Sequence, residues 1–164
     1  MQNDEDQIDL LLLDNQLCFA LYAATRALTK AYTERLSRLG LTYPQYLVLL
    51  VLWEKDGQTV GEIGQRLMLD SGTLTPMLKR LEAMEIVERL RDKKDERVVY
   101  ICLQPKGKDL KEPVRAIREQ IGCDLDIPQP KKFLIRQDLL DVVDILEKAK
   151  KRRTEEANDA PFKA

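Results

Sequence analysis

The stretch LDSGTLTPMLKRLE, residues 69–82, is the most informative part of the chain about its fold. It has the apolar spacing of a short amphipathic helix, and Asp70 or Ser71 can accept hydrogen bonds from the first free N–H groups of that helix. A capping box formed by Thr59 and Glu62 opens another short helix just before it. Two short capped helices joined by a tight turn predict a helix-turn-helix.

The apolar periodicity changes directly after this helix, from helical spacing to the alternation of a strand. Segments 86–91 (IVERLR) and 97–103 (RVVYICL) have this alternation, and the charged turn DKKDE separates them. They predict a β-hairpin with a basic tip, which is the wing of a winged helix-turn-helix.

Helices are predicted on both sides of this section, so the fold class is mainly α with a small β-hairpin wing. A helix over about residues 15–38 ends before Gly40, and the capping box of Thr42 and Gln45 opens an apolar helix. After the hairpin we expect a helix over about residues 106–121 that bends at Pro113, followed by a loop over residues 122–132. A final helix over about residues 134–150 and a frayed polar tail over residues 151–164 follow.

Composition excludes several classes of protein. A chain of 164 residues, 44% hydrophobic and 34% charged, fits one helix-rich globular domain. No apolar run approaches roughly 18 residues, so neither a transmembrane helix nor a signal peptide is predicted, and we expect a cytoplasmic protein without membrane contact. Three cysteines without CxxC spacing and the absence of histidine argue against a zinc site or histidine-based catalysis. We expect no metal and no cofactor.

The middle of the chain carries the candidate DNA contacts. Residues 79–108 hold nine Lys/Arg and six Asp/Glu, whereas the net charge of the whole chain is −1. The helix over residues 71–85 would enter the major groove, with contacts from Ser71, Thr73, Thr75, Lys79 and Arg80. The hairpin tip carries Arg91, Lys93, Lys94 and Arg97, which suit phosphates or a minor groove. A helical domain with a solvated, charged hairpin fits the same pattern.

The sequence LDSGTLTPMLKRLE, followed by Asp95, Glu96 and Arg97 at the hairpin tip, resembles the MarR family of bacterial winged-helix repressors. The resemblance extends from about residue 10 to residue 150. It implies that Asp95 holds the wing while Arg97 enters the minor groove of double-stranded operator DNA. It also implies an interlocked homodimer, formed by the first and last helices of two chains.

This resemblance divides the chain into four sections. Residues 10–40 form a dimerisation helix that carries a redox cysteine, and residues 41–104 form the winged helix-turn-helix. Residues 105–150 form the C-terminal dimerisation helices, and residues 151–164 form the polar tail.

Cys18 lies in the first turn of the predicted first helix, where free N–H groups and the helix dipole favour a thiolate. Tyr22 lies one turn further on the same face. Tyr32 lies about 21 Å along the same helix, so only the Tyr32 of another chain could reach this thiol. Tyr43 is a further candidate donor. The alternative is a cysteine that only packs in the core, which is also our expectation for Cys102 in its strand.

Cys18, Tyr22, Tyr32 and Tyr43, together with SGTLTPMLKRLE, resemble the organic hydroperoxide resistance regulators within the MarR family. The resemblance implies that organic hydroperoxides oxidise Cys18 and that the tyrosines stabilise its thiolate. It also implies that Cys123 resolves the oxidised form, as in the two-cysteine members. In an interlocked dimer this would give a disulfide between subunits and release of the operator.

Two other functions remain open at this point. One is a MarR-type repressor that a small phenolic ligand gates, with cysteines that are only structural. The other is a thiol peroxidase, although the chain has no histidine and no peroxidase motif. We predict the peroxide-sensing repressor, which is not an enzyme.

Overall fold

The computed structural model describes residue 9 and residues 11–159, with side chains as far as residue 156. The chain forms two compact units, residues 1–121 and residues 122–164, and each is described by itself. Among the described residues, no helix is both long enough and apolar enough to cross a membrane.

The first unit begins with a 3-10 turn, Leu13–Asn15, and helix α1, Leu17–Leu36. The N-cap position of this helix is Gln16, so α1 begins two residues after the predicted start at about residue 15. A second 3-10 turn, Ser37–Leu39, ends at Gly40, whose φ of 71° needs a residue without a β-carbon.

Three further helices follow with the predicted caps. Helix α2 is Tyr43–Glu54, α3 is Val60–Leu67 and α4 is Ser71–Ala83. Both predicted capping boxes are present, at Thr42 and at Thr59. The Asp70 side chain caps α4 by accepting a hydrogen bond from the Thr73 amide at 2.8 Å. The helix-turn-helix prediction is therefore confirmed.

The wing is part of a three-stranded antiparallel sheet. Strand β2, Val87–Arg91, pairs with β3, Val99–Leu103, and the two strands form the predicted hairpin. The other edge of β3 pairs with a two-residue strand, β1, Gln58–Thr59, which the sequence analysis did not predict. A strand of two residues has too short a sequence to show an alternating pattern.

The core of this unit lies between the helices and the inner face of the sheet. Its fully buried side chains come from α1, α2, α3, α4 and the sheet, and include Leu36, Leu49, Leu52, Ile63, Leu74, Leu78, Leu81 and Ile101. Helix α5, Pro105–Asp109, joins this core through a hydrogen bond that Trp53 Nε1 donates to the Gly107 carbonyl at 3.0 Å.

The last two helices differ most from the prediction. Helix α6 is Lys111–Leu125, and the chain breaks at Leu110 rather than bending at Pro113. Pro113 lies in the first turn of α6, where the amide hydrogen that proline lacks has no intrahelical acceptor. The predicted loop over 122–132 was wrong, because α6 continues to Leu125 and only a short connection separates it from α7.

Helix α7, Gln129–Asp159, is longer than the predicted final helix. Pro130 opens it without breaking it, for the same reason as Pro113. The part of the polar tail expected to fray is helical up to Asp159, and residues 160–164 lie outside the described part of the chain. Large apolar side chains of α7 are exposed, among them Phe133, Leu134, Leu139, Ile145 and Leu146.

Candidate DNA interface and thiol site

The first turns of α4 present the predicted small polar contacts. Thr73 Oγ1 donates to the Asp70 carboxylate at 3.0 Å, and Thr75 Oγ1 donates to the Ser71 carbonyl at 2.7 Å. Both hydroxyl protons are therefore used in hydrogen bonds within the protein. The hydroxyl oxygens of Thr73 and Thr75 can still accept a hydrogen bond from a base edge. Lys79 and Arg80 lie exposed further along α4, where a helix in a groove meets phosphates.

Backbone hydrogen bonds to two aspartates shape the wing tip. Asp95 Oδ1 accepts from the Arg97 amide at 3.0 Å, so Asp95 orders the turn that carries the exposed Arg97. Asp92 Oδ1 accepts from the amides of Lys94 at 2.7 Å and Asp95 at 3.0 Å. Those bonds lower the pKa of the Asp92 carboxyl.

Asp92 was not among the predicted site residues, although an aspartate at the start of a turn such as DKKDE often accepts hydrogen bonds from the backbone amides two and three residues later.

The wing is also held to α4, the second helix of the helix-turn-helix. Arg89 in β2 forms an ion pair with Glu82 in α4, with Nη1 and Oε2 3.5 Å apart. Within the wing, Gln104, directly after β3, donates to Glu88 in β2 at 2.9 Å. Because α4 and the wing share one core and the ion pair of Arg89 with Glu82, they present their cationic side chains on one surface.

Three tyrosines cluster where α1 and α2 meet. The Tyr32 ring centroid is 5.2 Å from those of both Tyr43 and Tyr46, and those two are 5.8 Å apart. Burial, followed by the neighbouring Tyr32, raises the pKa of Tyr43 and of Tyr46. Their phenols therefore stay protonated and can donate hydrogen bonds.

Tyr46 was not among the predicted site residues, and it is the most buried of the three. Its sequence signal was its position three residues after Tyr43, which puts both side chains on one face of α2. An apolar helix with tyrosines at this spacing is also typical of a core, so the signal alone did not separate the two roles.

Within one chain the structure does not bring Cys18 to these tyrosines. Cys18 is the second residue of α1 and is exposed, and its Sγ lies 3.6 Å from Gln16 Oε1. The Tyr22 hydroxyl accepts a hydrogen bond from Arg26 at 2.7 Å, and the Arg26 guanidinium also lies over the Tyr22 ring. Tyr32 is fourteen residues further along the same helix, about 21 Å away.

The other two cysteines lie in different settings. Cys102 is half-buried in β3, and burial, then the charges of Asp56 and Glu88, raises the pKa of its thiol. Cys123, in the second unit, is exposed in the last turns of α6 rather than in the predicted loop. Among the described residues, no group of His, Cys, Asp and Glu could hold a metal ion.

Helix α4, the turn before it and the adjoining basic wing define a winged-helix DNA-binding protein. A family model for the transcriptional regulators SarA/Rot matches residues 30–114. The chain is 53% identical over 128 residues to the organic hydroperoxide resistance transcriptional regulator of Bacillus subtilis, a match that covers 74% of this chain and 87% of that relative.

It is also 58% identical over 110 residues to the HTH-type transcriptional regulator TtmR of Methylorubrum extorquens, a match over 67% of this chain and 56% of that longer protein.

Solved structures of the protein AbfR are similar over most of the chain. Reduced AbfR bound to DNA has a TM-score of 0.69 and 41% identity, and the match covers 82% of this chain and 93% of AbfR. Disulfide-formed AbfR has a TM-score of 0.60 and 43% identity, with 80% and 92% covered.

The chain belongs to the MarR family of transcriptional regulators and, within it, to the organic hydroperoxide resistance regulators. Its named relatives are regulators, so it is a regulator and not an enzyme.

Proposed function

We propose that this protein is a homodimeric repressor of the two-cysteine type, which binds operator DNA when reduced and releases it when an organic hydroperoxide oxidises Cys18. The observation that carries this proposal is that the two parts of the thiol site, the cysteine and the tyrosines, lie at opposite ends of α1. The exposed thiol lies at the amino-terminal end, and the tyrosine cluster lies at the carboxyl-terminal end. If the α1 helices of two chains cross in opposite directions, the Cys18 of one chain would meet the tyrosine cluster of the other.

The first chemical step is a nucleophilic displacement at the peroxide. The Cys18 thiolate attacks the terminal oxygen of the hydroperoxide, and the O–O bond breaks as the S–O bond forms. The alkoxide that leaves takes up a proton and becomes an alcohol, while Cys18 becomes a sulfenic acid. Phenol donors from Tyr22 and from the partner's Tyr32 and Tyr43 would stabilise the thiolate before the attack.

The second step is a condensation with the resolving thiol. The Cys123 thiol of the other subunit attacks the sulfur of the sulfenic acid, a disulfide forms and water leaves. The exposure of Cys123 supports this role, since a resolving thiol has to be accessible. Cys102 takes no part, because its half-buried thiol has a raised pKa and is a poor nucleophile.

The output is a change in operator affinity. In the reduced dimer, α4 and the wing of each chain would contact the major and minor grooves through Ser71, Thr73, Thr75, Lys79, Arg80 and Arg97, with Asp95 ordering the wing. An intersubunit disulfide that pulls on α1 and α6 would change the spacing of the two recognition helices, to which operator binding is sensitive.

Operator binding before and after one equivalent of cumene hydroperoxide tests this function. Fluorescence anisotropy should show release for the wild type and for Cys102→Ser, the matched control. Cys18→Ser should bind the operator and keep it, because serine forms neither a thiolate nor a sulfenic acid. Release of the Cys18→Ser protein by peroxide would show that sensing lies elsewhere.

The disulfide is tested separately, on a non-reducing denaturing gel. Oxidised wild type and Cys102→Ser should run as covalent dimers that dithiothreitol returns to monomers, and Cys123→Ser should not. A disulfide that mass spectrometry assigns to Cys18 and Cys123 of one chain would contradict the intersubunit arrangement. Release by a phenolic acid, with no response to peroxide, would favour the ligand-gated alternative.

A further inference from the structure

Three side chains lie one turn apart on α1, and the proposed redox chemistry uses only the first two. Cys18, Tyr22 and Arg26 follow one another at four-residue spacing. Successive members of such a series lie about 6 Å apart along the helix and about 40° apart around it. Arg26 therefore lies on the same side of α1 as the thiol and its proposed phenol donor.

Arg26 contacts Tyr22 in two ways. Its Nη1 donates a hydrogen bond to the Tyr22 hydroxyl oxygen at 2.7 Å, and the guanidinium carbon lies 5.4 Å from the centre of the Tyr22 ring. Helical side chains lean toward the amino-terminal end of their helix, so Arg26 reaches back to Tyr22, and Tyr22 leans toward the turn of Cys18. The guanidinium thus holds the phenol both by its oxygen and by its ring face.

This contact leaves the phenol proton available. The Tyr22 oxygen accepts from Arg26, and in the described part of the chain the Tyr22 hydroxyl proton has no acceptor. A cationic donor on the oxygen also polarises the O–H bond, which strengthens the phenol as a donor. The reduced Cys18 thiol donates to Gln16 Oε1 at 3.6 Å, whereas a thiolate has no proton and needs a donor instead. Tyr22, held in this way, can be that donor.

The charges near Cys18 give the position of Arg26 its importance. Residues 1–25 include five acidic residues and no lysine or arginine, so Arg26 is the first basic residue of the chain. Asp14, in the 3-10 turn before α1, lies four residues before Cys18 and opposes a negative charge on the sulfur. The tyrosines that the proposed dimer brings to this sulfur, Tyr32 and Tyr43, are neutral donors. Arg26 adds a permanent positive charge behind the phenol of Tyr22.

We propose that Arg26 is a positioning residue of the thiol site, which acts on Cys18 through Tyr22. Its guanidinium fixes the Tyr22 oxygen and directs the hydroxyl proton to the Cys18 thiolate of the same chain. The inference deepens the proposed function and rests on it, because it concerns the same thiolate. The alternative is an exposed arginine–tyrosine pair that only stabilises α1, as side chains at four-residue spacing often do.

The pH dependence of Cys18 oxidation separates these two roles, because the thiolate is the form that reacts with peroxide. The rate is measured from about pH 4 to pH 9 in full-length Cys123→Ser protein, by trapping the Cys18 sulfenic acid with dimedone after addition of cumene hydroperoxide. Arg26→Leu should move the midpoint of the pH–rate profile upward by about 0.3–0.7 pH units, which is a two- to fivefold loss of rate below the midpoint. The plateau at high pH should stay unchanged, because every thiol is then ionised.

Lys30→Gln is the matched control, because it removes an exposed positive charge from the next turn of α1 without touching Tyr22. It should leave the midpoint unchanged. Arg26→Lys keeps the charge and can still donate to the phenol oxygen, so it should recover part of the loss. An unchanged midpoint for Arg26→Leu, or an equal rise for Lys30→Gln, would overturn the proposal. So would a midpoint for Arg26→Lys as high as that for Arg26→Leu.

The Tyr22→Phe protein tests the route through the phenol. This change keeps the ring beneath the guanidinium and removes only the hydroxyl. In that background Arg26→Leu should change the midpoint by less than about 0.2 pH units, because the two side chains act in series. A full effect of Arg26→Leu without the Tyr22 hydroxyl would mean that the charge acts on the sulfur directly, and would overturn the role of Arg26 through Tyr22.

The failure of this inference and the failure of the redox function give different results. If peroxide oxidises Cys18 and releases the operator, while Arg26→Leu leaves the midpoint unchanged, the inference alone fails. If Arg26→Leu raises the midpoint of Cys18 oxidation, while peroxide still releases the operator from Cys18→Ser protein, the redox function alone fails.

Discussion

The rings of Tyr32 and Tyr46 are stacked, with centroids 5.2 Å apart and an interplanar angle of 21°, although one residue belongs to α1 and the other to α2. Tyr43 packs at a tilt against each ring. Tyr46 therefore positions Tyr32, which is the proposed donor to the thiol of the partner.

We predict that Tyr46→Phe slows the oxidation of Cys18 by about two- to tenfold, because it removes from beside Tyr32 a phenol hydroxyl whose hydrogen bonding is worth about 0.5–1.5 kcal/mol, while the stacked ring remains. Tyr32→Phe should slow it at least as much, since it removes the donor itself. The rate is measured by trapping the sulfenic acid of the Cys123→Ser protein after addition of cumene hydroperoxide. Tyr100→Phe, in β3, is the control, and unchanged rates for both cluster variants would remove the tyrosines from the site.

We predict that Arg97→Ala weakens operator binding by about 1–3 kcal/mol, because it removes a groove contact from a turn that Asp95 keeps ordered. Binding is measured by anisotropy at fixed salt, with circular dichroism to confirm folding. Lys79→Ala provides the comparison, since loss of a phosphate contact should mainly lower the slope of affinity against salt by about one. Full affinity of a folded Arg97→Ala protein would contradict the assignment of the wing.

We predict that Gly107→Ala destabilises the protein by about 1–3 kcal/mol, because an added β-carbon would collide with the Ile86 carbonyl oxygen and press on Leu103. Gly122→Ala is the matched control. No atom lies within 4 Å of its added β-carbon, and alanine in a helix should stabilise by about 0.4–1 kcal/mol. Urea unfolding of both variants measures the difference, and equal effects would mean that α5 does not approach β2 this closely.

A fourth prediction concerns the cap of α4 and its dependence on pH. Hydrogen bonds from Thr73 lower the pKa of the Asp70 carboxyl in the folded protein. Its stabilising contribution is therefore complete above the unfolded pKa of about 4 and is lost as the pH falls through the lower folded value.

Asp70→Ser keeps a capping oxygen but does not titrate. Its melting temperature should be close to that of the wild type at pH 7 and should fall less below about pH 4. Thermal unfolding from pH 7 to pH 3 measures the difference, and parallel curves for the two proteins would contradict the role of Asp70.

Tertiary contacts decided features that have no local signal. Strand β1 forms because the outer edge of β3 has free backbone groups with which it can pair. The position of α5 is set by the hydrogen bond from Trp53 to Gly107 and by the close approach of Gly107 to Ile86. Tyr46 joined the cluster because α1 and α2 pack against each other, which brings residues far apart in sequence within ring-contact distance. The connection between α6 and α7 was predicted too long, because Gly122 and Pro130 suggested a loop although each lies within a helix.

The sequence by itself determined the caps of α2, α3 and α4, the hairpin and the turn that carries Arg97. The caps and the turn depend on hydrogen bonds between residues two or three positions apart, so the order of residue types is enough to specify them. The hairpin followed from two alternating apolar segments on either side of a short charged turn. The spacing of fourteen residues in one helix also predicted that Cys18 lies about 21 Å from Tyr32 of its own chain. The tertiary structure alone decided that Tyr43 and Tyr46 of α2 lie beside Tyr32 of α1. The physical reason is that the rise along one helix is fixed at about 1.5 Å per residue, whereas contact between two helices depends on the packing of side chains that are far apart in sequence.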